Sequence, residues 1–246
     1  MVEALALETW ALLLSLTFVS GIIYGFAGFG AALVYLPIAT MFLPPALVIA
    51  AFSISAMASL FTVVPQAWRE ADRHATFTLI CAAVISAPLG IYGLKTLETE
   101  VIRYIVSAVV SITLVALIAG IKFTPKPGRP TLIGLGASAG VLGGLVGLMG
   151  PIVVLFQLGT GQDVARIRAN TLCFLTIGSL LLLPLMWMQG IFAPAAIPLG
   201  LSMMVPYALG TFVGRRMFNP DRATLYKRCA YALIGLSALV GLPLFD

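Results

Sequence analysis

"GIIYGFAGFGAALVYLP", residues 21–37, places Gly25, Gly28 and Gly30 inside an apolar run. Glycine costs roughly 1 kcal/mol against alanine in a helix interior, so glycines this dense predict a break in the backbone. The chain around them is hydrocarbon: of 246 residues, 61% are hydrophobic and 9% charged, with a mean hydropathy of +1.08. A soluble domain does not carry that balance, so the composition predicts an integral membrane protein.

Apolar stretches run at about 9–42, 46–66, 75–94, 101–121, 131–158, 167–188, 194–214 and 223–244. Most are close to the ~20 residues a helix needs to cross a bilayer. They are continuous Leu, Ala, Ile and Val rather than short alternating segments, so the fold class is all-α and not a barrel. The start, "MVEALALETW", has no basic residue ahead of its apolar run and no small-residue cleavage site, and reads as retained. Cys81, Cys173 and Cys229 lack metal or redox spacing and read as small buried apolar residues. The net charge of +5 serves orientation first, and nothing supports nucleic-acid binding.

A second glycine-rich stretch, "GVLGGLVGLMGPIVVL", occupies residues 140–155. Gly21, Gly25 and Gly28 fall on Gly140, Gly144 and Gly147 at a constant offset of 119. Further on, Gly90 and Lys95 fall on Gly210 and Arg215, and Arg103 on Lys227. This divides the chain into a first repeat (1–122), a cytoplasmic linker (123–130) and a second repeat (131–246), one membrane domain in all.

Each repeat is one glycine-rich segment followed by three ordinary spans. If each glycine-rich segment is a hairpin that enters and returns on one side, one face receives Arg69, Arg73, Lys122, Lys126, Arg129, Arg166, Arg168, Arg215, Arg216, Arg222, Lys227 and Arg228, against Lys95 and Arg103 on the other, a split of twelve to two. The positive-inside rule puts that face in the cytoplasm and both termini outside. Glu3, Glu8, Glu98, Glu100 and Asp246 fall on the outer face. A hairpin plus three spans is an odd number of crossings, so the expected architecture is two inverted repeats.

A hairpin tip at membrane depth exposes backbone groups that cannot face lipid, so it must be buried or line a cavity. Entering from opposite faces, Gly28, Phe29 and Gly30 would meet Gly147, Met149 and Gly150 near the midplane, with Gly25, Gly144 and Pro151 as hinge positions. A new helix follows each tip, and Pro151 suits its first turn. Two helix N-termini converging in a low dielectric make an anion site. No Asp or Glu lies inside an apolar segment, which argues against a cation carrier or proton pump. Ser53, Ser55, Gln157, Asn170 and Thr171 are the polar candidates to complete the site. The rival use of the glycines is close packing between helices, and of the polar residues, hydrogen bonds between helices. Arg166 and Arg168 read as interfacial anchors, with an anion gate as the alternative.

The doubled glycine motif, the spacing of the later spans and the length resemble the sulfite exporter TauE/SafE family over nearly the whole chain. Gly25, Gly28 and Gly30 match its first motif; Gly144, Gly147, Gly150 and Pro151 match its second; Met149 departs where a small residue is expected. The resemblance implies a multi-pass carrier of the bacterial inner membrane that moves sulfite, sulfonates, sulfoacetate or similar anions. The leading expectation is a secondary transporter working by alternating access, in the export direction, with proton coupling as one possibility. The alternatives are a non-transporting membrane assembly factor and a passive anion channel. No Ser/His/Asp set, nucleotide-binding loop or metal cluster is visible, so no enzyme activity, cofactor or metal is expected.

Overall fold

The computed structural model describes residues 7–121, 128–160, 162–217 and 223–241, with side chains in the last stretch from Ala230 onward. The expectations placed on Glu3, Lys122, Lys126, Arg222, Lys227, Arg228, Cys229 and Asp246, on both termini and on most of the linker lie outside it.

Every regular element among the described residues is helical, and seven segments are long and apolar enough to cross a membrane. In chain order the α-helices are α1 (Leu7–Ala27), α2 (Ala31–Phe42), α3 (Pro45–Ser55), α4 (Ser59–Thr62), α5 (Val64–Glu70), α6 (Arg73–Thr96), α7 (Thr99–Ile118), α8 (Arg129–Val146), α9 (Gly150–Gly159), α10 (Val164–Met188), α11 (Ala196–Met217) and α12 (Ala223–Val240). Large apolar side chains stand on the outside, with Ile85 81% and Ile112 69% exposed. An apolar exterior on this scale is the signature of a protein solvated by lipid.

Both glycine-rich segments break where the sequence predicts. α1 ends and α2 begins across Gly28–Gly30, and α8 ends and α9 begins across Gly147–Met149. The first segment reverses. Gly30 faces Ile23 of α1, and Tyr35 Oη donates to Met203 Sδ at 3.4 Å. Met203 precedes Tyr207, which faces Tyr24, so α2 runs back alongside α1.

Gly25 and Gly144 are not part of either break. They lie inside α1 and α8, where a Cβ would collide with Thr211 and Arg215 of α11 or with Ala87 and Ile91 of α6. Their role is close helix packing, which corrects the hinge expectation: removing the side chain lets two backbones approach. Gly21 meets Tyr207 and Gly25 meets Arg215, so α1 and α11 run in the same direction; Gly136 meets Leu79 and Gly144 meets Ile91, so α8 and α6 do too.

These contacts are reciprocal. Gly28 packs on Arg168 and Gly147 on Ile49, both partners separated by 119. The packing also corrects one sequence correspondence. Gly90 fits against Val141 and Leu145, and it is Gly214, not Gly210, that fits the equivalent place against Ile22, an offset of 124. Glycines recur every turn in these helices, so identity alone misplaced the match by one turn.

The first ordinary span departs from expectation by being broken. A 3-10 turn at Ala56–Ala58 follows α3, and Val63 leaves helical geometry at φ −121° before Pro65. Proline lacks the N–H and crowds the carbonyl four residues back. Its counterpart at the 119 offset, Pro184, sits inside the continuous α10. At one end of the bundle Asp72 N donates to Asn170 Oδ1 at 2.7 Å and Arg215 donates to the Thr62 carbonyl at 2.7 Å. At the far ends of α6 and α10, Lys95 donates to the Gln189 carbonyl at 3.0 Å.

Candidate functional site: a cavity between the two tips

The turn at each tip follows from its glycine. Gly28 at φ 82° and Gly147 at φ 75° take the left-handed conformation and donate N–H to the carbonyls of Tyr24 and Gly143, each at 2.9 Å. That is the left-handed cap that ends a helix while satisfying one orphan carbonyl. Gly30 repeats the conformation at φ 95°, but Met149, its counterpart, sits at φ −75°. The second tip therefore needs no second glycine. Met149 folds its side chain into the slot left by Gly143 and Gly178. Pro151 falls in the first turn of α9, as its missing N–H requires.

Both tips open into one cavity. Phe29, Gly30, Ala31 and Ala32 line it from the first half, and Leu148, Met149, Gly150 and Pro151 from the second, four pairs related by 119. The first residues of α2 and of α9 thus face the same space. Their opening turns carry N–H groups without intrahelical partners, apart from Pro151, and the positive ends of two helix dipoles.

About 50 Å³ is open to the centres of water-sized molecules. At roughly 10–15 Å³ per water this admits a guest of a few heavy atoms. No lining side chain is charged. Ser53 enters from α3, Thr113 from α7, and Thr176 and Ser179 from α10, midway along that helix. Ser53 Oγ has no hydrogen-bond partner among the described residues. Tyr24 Oη donates to the Leu172 carbonyl at 3.1 Å and lies 2.8 Å from Thr176 Oγ1, a pair whose hydrogens can rearrange toward a guest. Phe52 and Tyr207 close one wall, edge to face at 5.7 Å, with Tyr35 stacked on Phe52 behind them at 4.8 Å.

Of the sequence candidates, Phe29, Gly30, Ser53, Gly147, Met149, Gly150 and Pro151 meet at this cavity. The others lie outside its lining. Gly28 packs behind the tip on Arg168. Ser55 Oγ donates to the Phe52 carbonyl at 2.8 Å, and Thr171 Oγ1 to the Ile167 carbonyl at 2.8 Å. Asn170 caps the turn before α6 through Asp72, and Gln157 is buried in α9 with Oε1 unpartnered among the described residues. Tyr24, Thr113, Thr176, Ser179 and Tyr207 are additional lining residues, and lone hydroxyls in apolar runs give no periodic signal to find them by.

Arg168 is also misread from sequence as an interfacial anchor. It is 9% exposed; Nε donates to the Phe26 carbonyl at 3.0 Å and Nη2 to the Gly25 carbonyl. Both carbonyls belong to the last turn of α1, beside the break.

No curated protein and no solved structure matches the chain. Residues 13–241 match the family described as Sulfite exporter TauE/SafE, nearly the whole chain, and the protein belongs to that family of membrane transporters.

Proposed function

We propose that the protein is a secondary transporter of small sulfur-containing anions, sulfite, sulfonates or sulfoacetate, which it exports across the bacterial inner membrane by alternating access. The observation that carries the proposal is the sharing of one uncharged cavity by two glycine-built tips from opposite halves of the chain. Helix N-termini and hydroxyls stabilise an anion by hydrogen bonding without a fixed counter-charge, so the guest can also leave. The family supports sulfur oxyanions as the substrate class.

Inversion of the halves has its own support. With α2 folded back, α1 and α6 run in opposite directions, and α8 runs with α6. The two tips then enter from opposite sides, and rocking of one half against the other exposes the cavity to each side in turn. Arg69, Arg73, Arg166, Arg215 and Arg216 gather at the end where α5, α10 and α11 meet, in keeping with a cytoplasmic face there and periplasmic termini. Proton coupling belongs to the same proposal.

The test is flux of labelled sulfite into proteoliposomes. Protein-dependent uptake that competes with short sulfonates and responds to an imposed proton gradient is the expected result. Flux indifferent to any gradient would point to a channel. Absence of both flux and thermal stabilisation by oxyanions, with co-purification of a partner, would point to an assembly factor and defeat the proposal.

A further inference from the structure

A helical hairpin brings two opposite dipole ends to its tip. At the first tip the negative end of α1 lies three residues from the positive end of α2. Unaltered, the two fields largely cancel at a guest in the cavity. Arg168 changes that balance. Its guanidinium donates to the carbonyls of Gly25 and Phe26 in the last turn of α1, and Gly28 fits over its stem so closely that a Cβ would meet Arg168 Cγ at 2.8 Å.

The second tip has no such arrangement. Gly144 and Leu145, the counterparts of Gly25 and Phe26, receive no side-chain donor among the described residues. The place of Arg168 is taken by Ile49, whose Cγ1 a Cβ on Gly147 would meet at 3.0 Å.

We propose that Arg168 is the positioning residue of the transport site: it clasps the first tip to α10 and neutralises the end of α1, so that the first tip, not the second, supplies the positive field that holds the anion. Arg168 is not among the cavity's lining residues and acts through the hairpin. The inference rests on the anion-transport reading for its ligand, but not for the clasp. A planar fork is what two neighbouring carbonyls require; lysine keeps the charge and loses that geometry.

The experiment compares wild type with Arg168→Lys and Arg168→Gln in nanodiscs, reading amide hydrogen exchange at residues 26–33 and 145–152 together with sulfite affinity. Both variants are expected to raise exchange at the first tip about tenfold or more and leave the second within about twofold. Only Arg168→Gln is expected to weaken sulfite binding, by about tenfold, while Arg168→Lys stays within about threefold. Unchanged exchange at residues 26–33 overturns the clasp. Equal loss of affinity in both variants, or loss in neither, overturns the electrostatic role. If wild type binds no sulfite, the transport reading and the electrostatic role fall together, and the exchange comparison still decides the clasp.

Discussion

At the first tip two glycines carry positive φ, Gly28 at 82° and Gly30 at 95°, and a buried arginine holds the carbonyls behind them. At the second only Gly147 does, at 75°, while Met149 fills the turn with its own side chain and Ile49 stands where the arginine would be. One backbone turn has been stabilised in two ways, by charge in one half and by apolar packing in the other. The lesson is that two tips matched at an offset of 119 keep their geometry more strictly than their chemistry. Asymmetry between the halves then falls on the residues behind the tips, where it tunes the cavity without reshaping it.

The comparison breaks most readily at the tip glycines. Gly28→Ala forces an L residue into left-handed geometry, about 1–2 kcal/mol, and pushes a Cβ into the side chain and backbone of Arg168. Its total cost should reach about 2–4 kcal/mol, read as denaturant or thermal stability in detergent. Gly147→Ala carries the same strain but its nearest contacts are side-chain carbons of Leu36 and Ile49, which can yield, and it should lose about 1–2 kcal/mol. Equal losses would erase the distinction drawn between the tips.

Met149→Ala sharpens the second side of the comparison. Emptying the slot beside Gly143 and Gly178 should destabilise by about 2–3 kcal/mol and enlarge the cavity. Bulkier sulfonates should then compete better against sulfite in a flux assay; an unchanged preference would mean that Met149 does not bound the site. Ser53→Ala removes the unpaired hydroxyl from the cavity. It should weaken anion affinity about fivefold, roughly 1 kcal/mol, with folding stability unaltered. The smallest effect is expected outside the cavity. Asn170→Ala deprives Asp72 N of its acceptor and should cost about 0.5–1 kcal/mol of stability, with the sulfite KM unmoved.

Much of the fold was legible because hydropathy and length are global signals. The spans, the breaks at Gly28–Gly30 and Gly147, and the position of Pro151 all follow from residue type alone. Four features did not. Residue identity alone pairs Gly90 one turn off, since glycines at helical spacing match each other at more than one register. The break before Pro65 is invisible beside its twin Pro184, which leaves its helix intact. By its place at the start of a span Arg168 resembles most arginines there, which are anchors; only packing reveals that α10 turns it inward onto a broken helix end. The cavity's hydroxyls at Tyr24, Thr113, Thr176 and Ser179 come from three separate helices, so no stretch of sequence brings them together.

The most direct test of the account locates the anion. Selenite mimics sulfite and scatters anomalously, so a crystal of the protein soaked with it yields the position of the selenium. The expected peak lies between Gly30 and Gly150, within reach of the first amides of α2 and of Ser53 Oγ. Selenium bound elsewhere in the protein, or no ordered selenium at a concentration that blocks sulfite flux, would contradict the claim that the paired tips form the transport site.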